Sequence, residues 1–234
     1  MTFASQLKRL RASLATAAGT IVFGMEDGTV SIFGLIFGVA ATTTNTKTVL
    51  IAGASGAVAA AVSMMAGAFL DVETTRDAME TKRAKLQASL AANAASICAE
   101  LPGQLAAAGL THQQSAALTG AVMNDRDALD GLLLALHGSP EAAPNPWVQA
   151  LWMLIADFAA AAVPILPFVF LPVPQARGVS AVVTIALLIG LGVGRGRIAG
   201  HNVARTVVET VAVGIAAALA GVAISVVISR SLTG

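Results

Sequence analysis

The most constraining feature of this sequence is an apolar run that could cross a lipid bilayer but contains adjacent carboxylates. The run is Gly19–Ala41, and it carries Glu26 and Asp27, followed at once by Gly28. Crossing the hydrocarbon core takes about 20 apolar residues, and a carboxylate in such a span costs about 2.5–3.5 kcal/mol on insertion scales. We therefore expect the two acids to face a polar cavity, a partner, an ion or the membrane edge.

The composition indicates an integral membrane protein. Of the 234 residues, 56% are hydrophobic and 12% are charged, whereas a soluble domain typically carries about 25% charged residues. The net charge of +1 gives no indication of nucleic-acid binding. A single cysteine, Cys98, excludes an internal disulfide and a cysteine-based metal cluster. The sequence contains no nucleophile–base pair, phosphate loop or HExxH pattern, so we predict neither an enzyme nor a cofactor.

Hydropathy predicts an all-α fold of five transmembrane helices, with a cytosolic helical insert between spans 2 and 3. The chain then divides into residues 1–70 (the N-terminal segment and spans 1 and 2), residues 71–146 (the cytosolic helical domain) and residues 147–234 (spans 3 to 5). The predicted spans are Gly19–Ala41, Val49–Leu70, Trp147–Leu171, Gly178–Gly194 and Thr206–Ile228.

Prolines and charged residues predict where the spans bend or end. Pro164 and Pro167 each lack a backbone donor, so a kink is expected in span 3. The segment Pro172–Arg177 is predicted to be a turn, and Arg195–Arg205 a basic loop. In the insert, we expect span 2 to extend to Ala92. Shorter helices should follow at Ala94–Ala108, His112–Met123 and Asp125–His137, with Thr111 and Asn124 as N-caps.

The basic residues divide unequally between the two sides of the membrane that five spans define. Only Lys47, Arg177 and Arg230 fall on one side. Because cytoplasmic segments carry an excess of Lys and Arg, the N-terminus and the 71–146 domain are predicted to be cytoplasmic. The residues on that side are Lys8, Arg9, Arg11, Arg76, Lys82, Arg83, Lys85, Arg126, Arg195, Arg197 and Arg205.

Three segments resemble the vacuolar iron transporter family. The family's first-span signature is similar to Asp27–Ala41, DGTVSIFGLIFGVAA. Its Ser-Met-x-x-Gly-Glu end of span 2, which continues into an Arg-Asp-bearing helix, is similar to Ser63–Asp77, SMMAGAFLDVETTRD. Its Asn-Pro start and Pro-x-x-Pro-Phe end of span 3 are similar to Asn145–Phe168, NPWVQALWMLIADFAAAAVPILPF. The matching segments follow the family order over nearly the whole chain.

The resemblance implies a five-span homodimer in a lipid bilayer that exports ferrous iron, and second to it manganese, from the cytosol in exchange for protons. Iron or manganese would be the transported substrate. The implied location is a bacterial inner membrane, or a vacuolar membrane in a eukaryote. Two rival interpretations stay open: a family member whose substrate has drifted, and a non-transporting membrane protein that serves as an assembly or sensor module.

The resemblance also assigns an ion path at the dimer interface to Asp27 and Met64. A carboxylate suits Fe²⁺ and Mn²⁺, and a thioether favours iron over Mg²⁺ or Ca²⁺. The alternative for Asp27 is a capping role at the membrane edge. The neighbouring Glu26 is expected either to pair with a basic side chain or to guard the entrance. Asp157, in span 3, could extend the ion path, take the proton, or bind a neighbouring Ser or Thr.

The cytosolic domain departs from the family pattern. Relatives carry repeated glutamates that gather metal, but the positions beyond Glu80 hold Lys82, Arg83, Lys85 and Gln87, and Ala68 replaces the Glu that ends span 2. Three acids do share one helical face, and this stripe could collect cations or be an ordinary solvated face. The stripe consists of Glu73, Asp77 and Glu80.

A small-residue face on span 1 predicts where two copies would meet. The face consists of Gly24, Gly28, Ser31 and Leu35, and small residues permit close helix contact. Packing of this face on span 2 of the same chain is the alternative. If two copies do meet there, a cysteine at Thr29 or Ile32 should crosslink them.

Overall fold

Residues 13–14, 16–123, 125, 128–129, 131–132 and 145–233 are described by a computed structural model. The helices that these residues form are, in chain order, α1 (Ala18–Thr42), α2 (Thr46–Ala107), α3 (His112–Val122), α4 (Pro146–Ile165), α5 (Pro167–Phe170), α6 (Val173–Ile198) and α7 (Val203–Thr233). By internal contacts the chain forms two compact units, Met1–Leu70 with Pro144–Gly234, and Asp71–Ala143.

The predicted all-α fold with five membrane-spanning helices is confirmed. In the described part of the chain, five helical segments are long and apolar enough to cross a membrane. They are Ala18–Thr42, Thr46–Lys85, Pro146–Ile165, Val173–Ile198 and Val203–Ser231. Each observed segment contains most of one predicted span, and the differences lie at the ends.

Span 3 is interrupted between α4 and α5, at the place where the sequence predicts a kink. α4 ends at Ile165, and α5 begins at Pro167, which has no backbone N–H to continue the ladder. The carbonyl of Pro164 accepts a hydrogen bond of 2.8 Å from the Ser180 hydroxyl of α6. A side chain from another helix thus satisfies a carbonyl next to the break.

Two predicted connections are shorter than expected. Pro172–Arg177 is not a turn, because Pro172 is the N-cap of α6 and Pro174 lies in the first turn, where a proline costs no hydrogen bond. Arg195–Arg205 is not a loop either: α6 runs to Ile198 and α7 begins at Val203. Gly200, with φ of 65°, follows the end of α6 in the left-handed conformation that glycine adopts without strain.

The separate helix predicted at Ala94–Ala108 is wrong, because α2 is continuous from Thr46 to Ala107. The residues between Ala84 and Ala99 are mostly alanine and other helix formers, with no glycine or proline, so nothing in the sequence stops the helix. The predicted helix at His112–Met123 is confirmed as α3. Asn124 and most of the helix predicted at Asp125–His137 lie outside the described residues.

The second unit has a small core of its own. Its buried members are Leu101, Leu105, Val122 and Leu129. Thr111 is the N-cap of α3, as predicted, and forms a capping box with Gln114. The backbone N–H of Gln114 donates to the Thr111 hydroxyl, and the backbone N–H of Thr111 donates to the side-chain oxygen of Gln114.

In the first unit, α1 packs against α4 and α7 through glycines. A Cβ atom built on Gly24 would lie 2.7 Å from the Met153 sulfur, and one on Gly28 would lie 2.9 Å from Asp157 Oδ1, both on α4. A Cβ on Gly38 would lie 2.6 Å from the Gly221 carbonyl oxygen on α7. These contacts are too close for any side chain.

The predicted dimer face on span 1 therefore needs correction. Gly24 and Gly28 face α4 of the same chain rather than a second copy or span 2, and Leu35 packs at Gly56 on α2. The proposed crosslinking positions are also wrong, since Thr29 is fully buried and Ile32 is 2% exposed. Both side chains point into the protomer, so neither could reach a second copy.

Candidate ion site in the membrane-spanning helices

A cavity of about 400 Å³ opens beside α1 in the first unit. Its polar wall is formed by Glu26, Asp27 and Arg195, and the rest is small or apolar: Gly19, Val22, Phe23, Val30, Ile198, Ala199 and Val213. Because residues four apart lie on the same face of a helix, α1 presents both Phe23 and Asp27 to this cavity. The cavity is large enough for a partly hydrated ion.

Glu26 is held by two partners from distant parts of the sequence. Its Oε1 atom lies 3.1 Å from Arg195 Nη1 and also accepts a hydrogen bond of 3.1 Å from the Thr210 hydroxyl. The Glu26 side chain is 15% exposed, and that of Arg195 is 49% exposed. Of the two roles considered for Glu26, pairing with a basic side chain is therefore observed, and guarding the entrance stays a prediction.

Asp27 differs from Glu26 because no described residue pairs with its carboxylate. The side chain is half-buried and lines the cavity. Since α1 begins at Ala18, Asp27 lies beyond the second turn and cannot cap the helix. A carboxylate in this position is free to bind a cation that enters the cavity.

Asp157 is fully buried, and neither of its carboxylate oxygens has a hydrogen-bond partner among the described residues. Its Oδ1 atom and its backbone carbonyl lie against Gly28, the residue next to Asp27. Of the three roles considered for Asp157, a bond to a nearby Ser or Thr is therefore wrong. An ion-path role and a proton-carrying role stay predictions.

The remaining predicted residues are not brought to this cavity. Met64, on α2, is half-buried and does not line it. In the stripe, Glu73 is half-buried, Asp77 is exposed, and Glu80 lies 3.5 Å from Arg76 in an exposed i,i+4 pair. The described residues hold no group of three or more His, Cys, Asp or Glu side chains that could bind a metal ion.

Sequence reasoning missed Arg195 and Thr210 as members of the site. Arg195 was placed in a loop, although it lies in the last turn of α6. The predicted topology could have indicated the contact between Arg195 and Glu26. Span 4 ends on the side of the membrane where span 1 begins, so a basic residue at the end of span 4 can reach an acid early in span 1. No comparable signal exists for Thr210, because threonines are common in membrane-spanning helices.

Five helices that are long and apolar enough to cross a membrane define the class of protein, an integral membrane protein. The comparisons with known proteins are specific. The sequence model of the VIT family matches residues 18–226, so the chain belongs to the VIT family. It is 27% identical over 173 residues to a vacuolar iron transporter from Centaurea cyanus, an alignment that covers 72% of this chain and 71% of the plant protein.

Proposed function

We propose that this protein exports ferrous iron, and second to it manganese, from the cytosol in exchange for protons. The observation that carries the proposal is Asp27, a half-buried carboxylate that no described residue pairs with, in a cavity beside a membrane-spanning helix. Such a group is costly unless it binds something. Hard divalent cations prefer oxygen ligands, and the plant relative is named as an iron transporter.

The proposed path runs between two copies of the chain. One Asp27 and one Met64 are too few ligands for a partly dehydrated divalent ion, and two-fold symmetry would double both. The open side of α1 carries Phe23, Asp27 and Ser31 at intervals of four residues, so a second copy on this side would enclose the cavity. In this arrangement the N-terminus and the 71–146 domain are cytoplasmic, where metal enters.

Flux in reconstituted vesicles tests the proposal. The purified protein, placed in liposomes with a proton gradient, should accumulate Fe²⁺ and Mn²⁺ while a trapped pH dye reports counterflow. Asp27→Asn should reduce uptake to that of protein-free vesicles, because the amide cannot bind the cation as a carboxylate does. The matched control, Asp71→Asn, alters an exposed acid and should transport normally. Flux of an unrelated ion, with none for either metal, would instead support the drifted-substrate rival.

Selectivity tests the proposed role of Met64. Met64→Leu keeps the approximate volume but removes the sulfur. If the thioether is a ligand, iron uptake should fall by about tenfold, as is typical when a metal site loses a supporting group, and manganese uptake should fall much less. Met65→Leu, at the neighbouring half-buried methionine, is the control. Equal loss for both metals would remove Met64 from the coordination.

The residues of the cytosolic stripe favour a family member with a drifted substrate over a non-transporting member. Relatives' glutamates are replaced here by basic and amide residues, and Glu80 is already paired with Arg76. A changed supply route or substrate is consistent with this, so the flux assay should include Co²⁺, Ni²⁺ and Zn²⁺. A protein that moves none of these ions would be a non-transporting member of the family.

A further inference from the structure

Asp157 is an acid that the proposed metal path does not use. It lies in the middle of α4, is fully buried, and has no hydrogen-bond partner for either oxygen among the described residues. An isolated carboxylate charge in such a position is strongly unfavourable. The group must therefore hold a proton, or face a cation, for most of its time in the folded protein.

Among the described residues, no basic side chain is shown against Asp157. Among the helices packed against α4, α1 brings Glu26 and Asp27, and Glu26 is engaged by Arg195 and Thr210. α5 contains no titratable residue. On α6 the charged residues are Arg177 near its start and Arg195 and Arg197 in its last turn. The part of α2 beside α4, between Lys47 and Asp71, contains no charged residue. Asp27, another acid, is next to the Gly28 that Asp157 contacts.

Gly28 brings the two acids together. Because Gly28 has no side chain, Asp157 Oδ1 and the Asp157 backbone can lie directly against α1, one residue from Asp27. A cation bound at Asp27 would therefore change the field at Asp157. A bound cation stabilises the charged carboxylate and allows its proton to leave, and departure of the cation favours return of the proton.

Resting on the metal–proton exchange proposed above, we infer that Asp157 is the proton-carrying group of the transporter. When metal reaches Asp27, the Asp157 carboxylic acid releases its proton to water and becomes a carboxylate. When the metal leaves on the far side, a proton from that side binds the carboxylate and restores the acid. Asp27 contacts the cargo, and Asp157 carries the counter-ion.

The charges balance in the proposed homodimer. Each protomer contributes one Asp157, so two protons are exchanged for one divalent cation, and each cycle is electrically neutral. The transport rate should then depend on the pH gradient and hardly on the membrane voltage. In a transporter that used only Asp27, the two Asp27 carboxylates of the dimer would bind the metal ion and the protons in turn.

The test compares Asp157→Asn with the wild type in the vesicle assay. The amide has the shape of the protonated acid but cannot release a proton, so Asp157→Asn should bind metal and lose both proton counterflow and acceleration by a pH gradient. Asp157→Glu should recover part of the coupling. Thr184→Val, which alters another fully buried side chain without a partner, is the control and should keep full coupling.

Infrared difference spectra of the wild type provide a measurement that needs no variant. Adding Mn²⁺ in detergent should remove the carbonyl band of a protonated carboxylic acid. If Asp157→Asn folds, its spectrum should lack that change. Persistence of the band in wild type that binds Mn²⁺ would overturn the inference.

The outcomes separate the two proposals. Wild type that moves no metal refutes the exchange function itself. Wild type that exchanges metal for protons, with Asp157→Asn showing the same protons per ion, leaves the exchange function standing and refutes the role of Asp157. Loss of metal binding in Asp157→Asn would place Asp157 among the metal ligands and would equally refute the inference.

Discussion

At the scale of residues, the three acids of α1 and α4 are held in three different environments. Among the described residues, Glu26 has an arginine and a threonine as partners, Asp27 lines a cavity without a partner, and Asp157 is buried without one. The cost of a charge in the membrane falls on each of them differently: it is offset at Glu26, reduced by the cavity at Asp27, and undiminished at Asp157. A role in transport is therefore expected for Asp27 and Asp157.

The Glu26–Arg195 pair should be structural rather than part of the exchange. Arg195→Met should leave the mostly buried Glu26 without its cation and lower the melting temperature in detergent. The double variant Glu26→Gln/Arg195→Met should recover much of that loss, with a coupling energy of about 1 kcal/mol, because Arg195 is half-exposed and solvent weakens the pair. The coupling energy is measured from the melting of four proteins: the wild type, Glu26→Gln, Arg195→Met and the double variant. Additive effects would mean that the observed ion pair contributes nothing to stability.

The acids could be found from the sequence, and their partners could not. An acid in a 20-residue apolar run is conspicuous whatever the fold, so Glu26, Asp27 and Asp157 were all recognised. The Arg195 guanidinium that pairs with Glu26 is 169 residues away along the chain, and Thr210 is 184 away. Pairings at that separation depend on how the helices pack, which hydropathy alone does not specify.

At the scale of elements, the contact between α1 and α4 depends on glycine. Gly28→Ala would drive a methyl group into the Asp157 backbone and should destabilise the protein by about 1–3 kcal/mol, as overpacking typically does. Gly190→Ala is the matched control, because Gly190 is helical with open space around it, and it should be neutral or stabilising by up to about 1 kcal/mol. Thermal melts in one detergent compare the two. Similar effects at both positions would show that the close contact is not needed.

Cysteine crosslinking tests which side of α1 faces a second copy. In a Cys98→Ser background, a cysteine at Phe23, which is 56% exposed, or at the exposed Ser31 should link two copies in membranes. Cysteines at the buried Thr29 and Ile32 are the controls and should remain unlinked. A failure of both exposed positions would contradict the proposed dimer path, and Asp27 would then have to act within one protomer.

The helices themselves were largely predictable, and their ends were not. Apolar length locates a span whatever surrounds it. The start of α6 was missed because proline favours both turns and first helical turns, and the end of α6 was missed because its two arginines read as loop residues. The glycines of α1 were noticed, but the sequence gives no means to tell an internal helix partner from a second copy.

At the scale of the whole molecule, metal binding should be confined to the membrane unit. Calorimetry of the full chain in detergent should find Mn²⁺ sites that Asp27→Asn removes, and no additional micromolar sites. The triple variant Glu73→Gln/Asp77→Asn/Glu80→Gln should titrate like the wild type, because the stripe is largely exposed and Glu80 is paired with Arg76. Several tight sites lost in the triple variant would restore a metal-gathering role to the stripe.

The glycine contacts along α1 also limit how this molecule can move. Near its start α1 meets α4 at Gly24 and Gly28, and near its end it meets α7 at Gly34 and Gly38, in each case with backbone against side chain or backbone. Surfaces that fit this closely leave little room for one helix to tilt or rotate against the other. Any rearrangement that exposes Asp27 to the opposite side should therefore carry α1, α4 and α7 together as a rigid body. The surface of α1 that is left free to move against a neighbour is then its open side, which carries Phe23, Asp27 and Ser31.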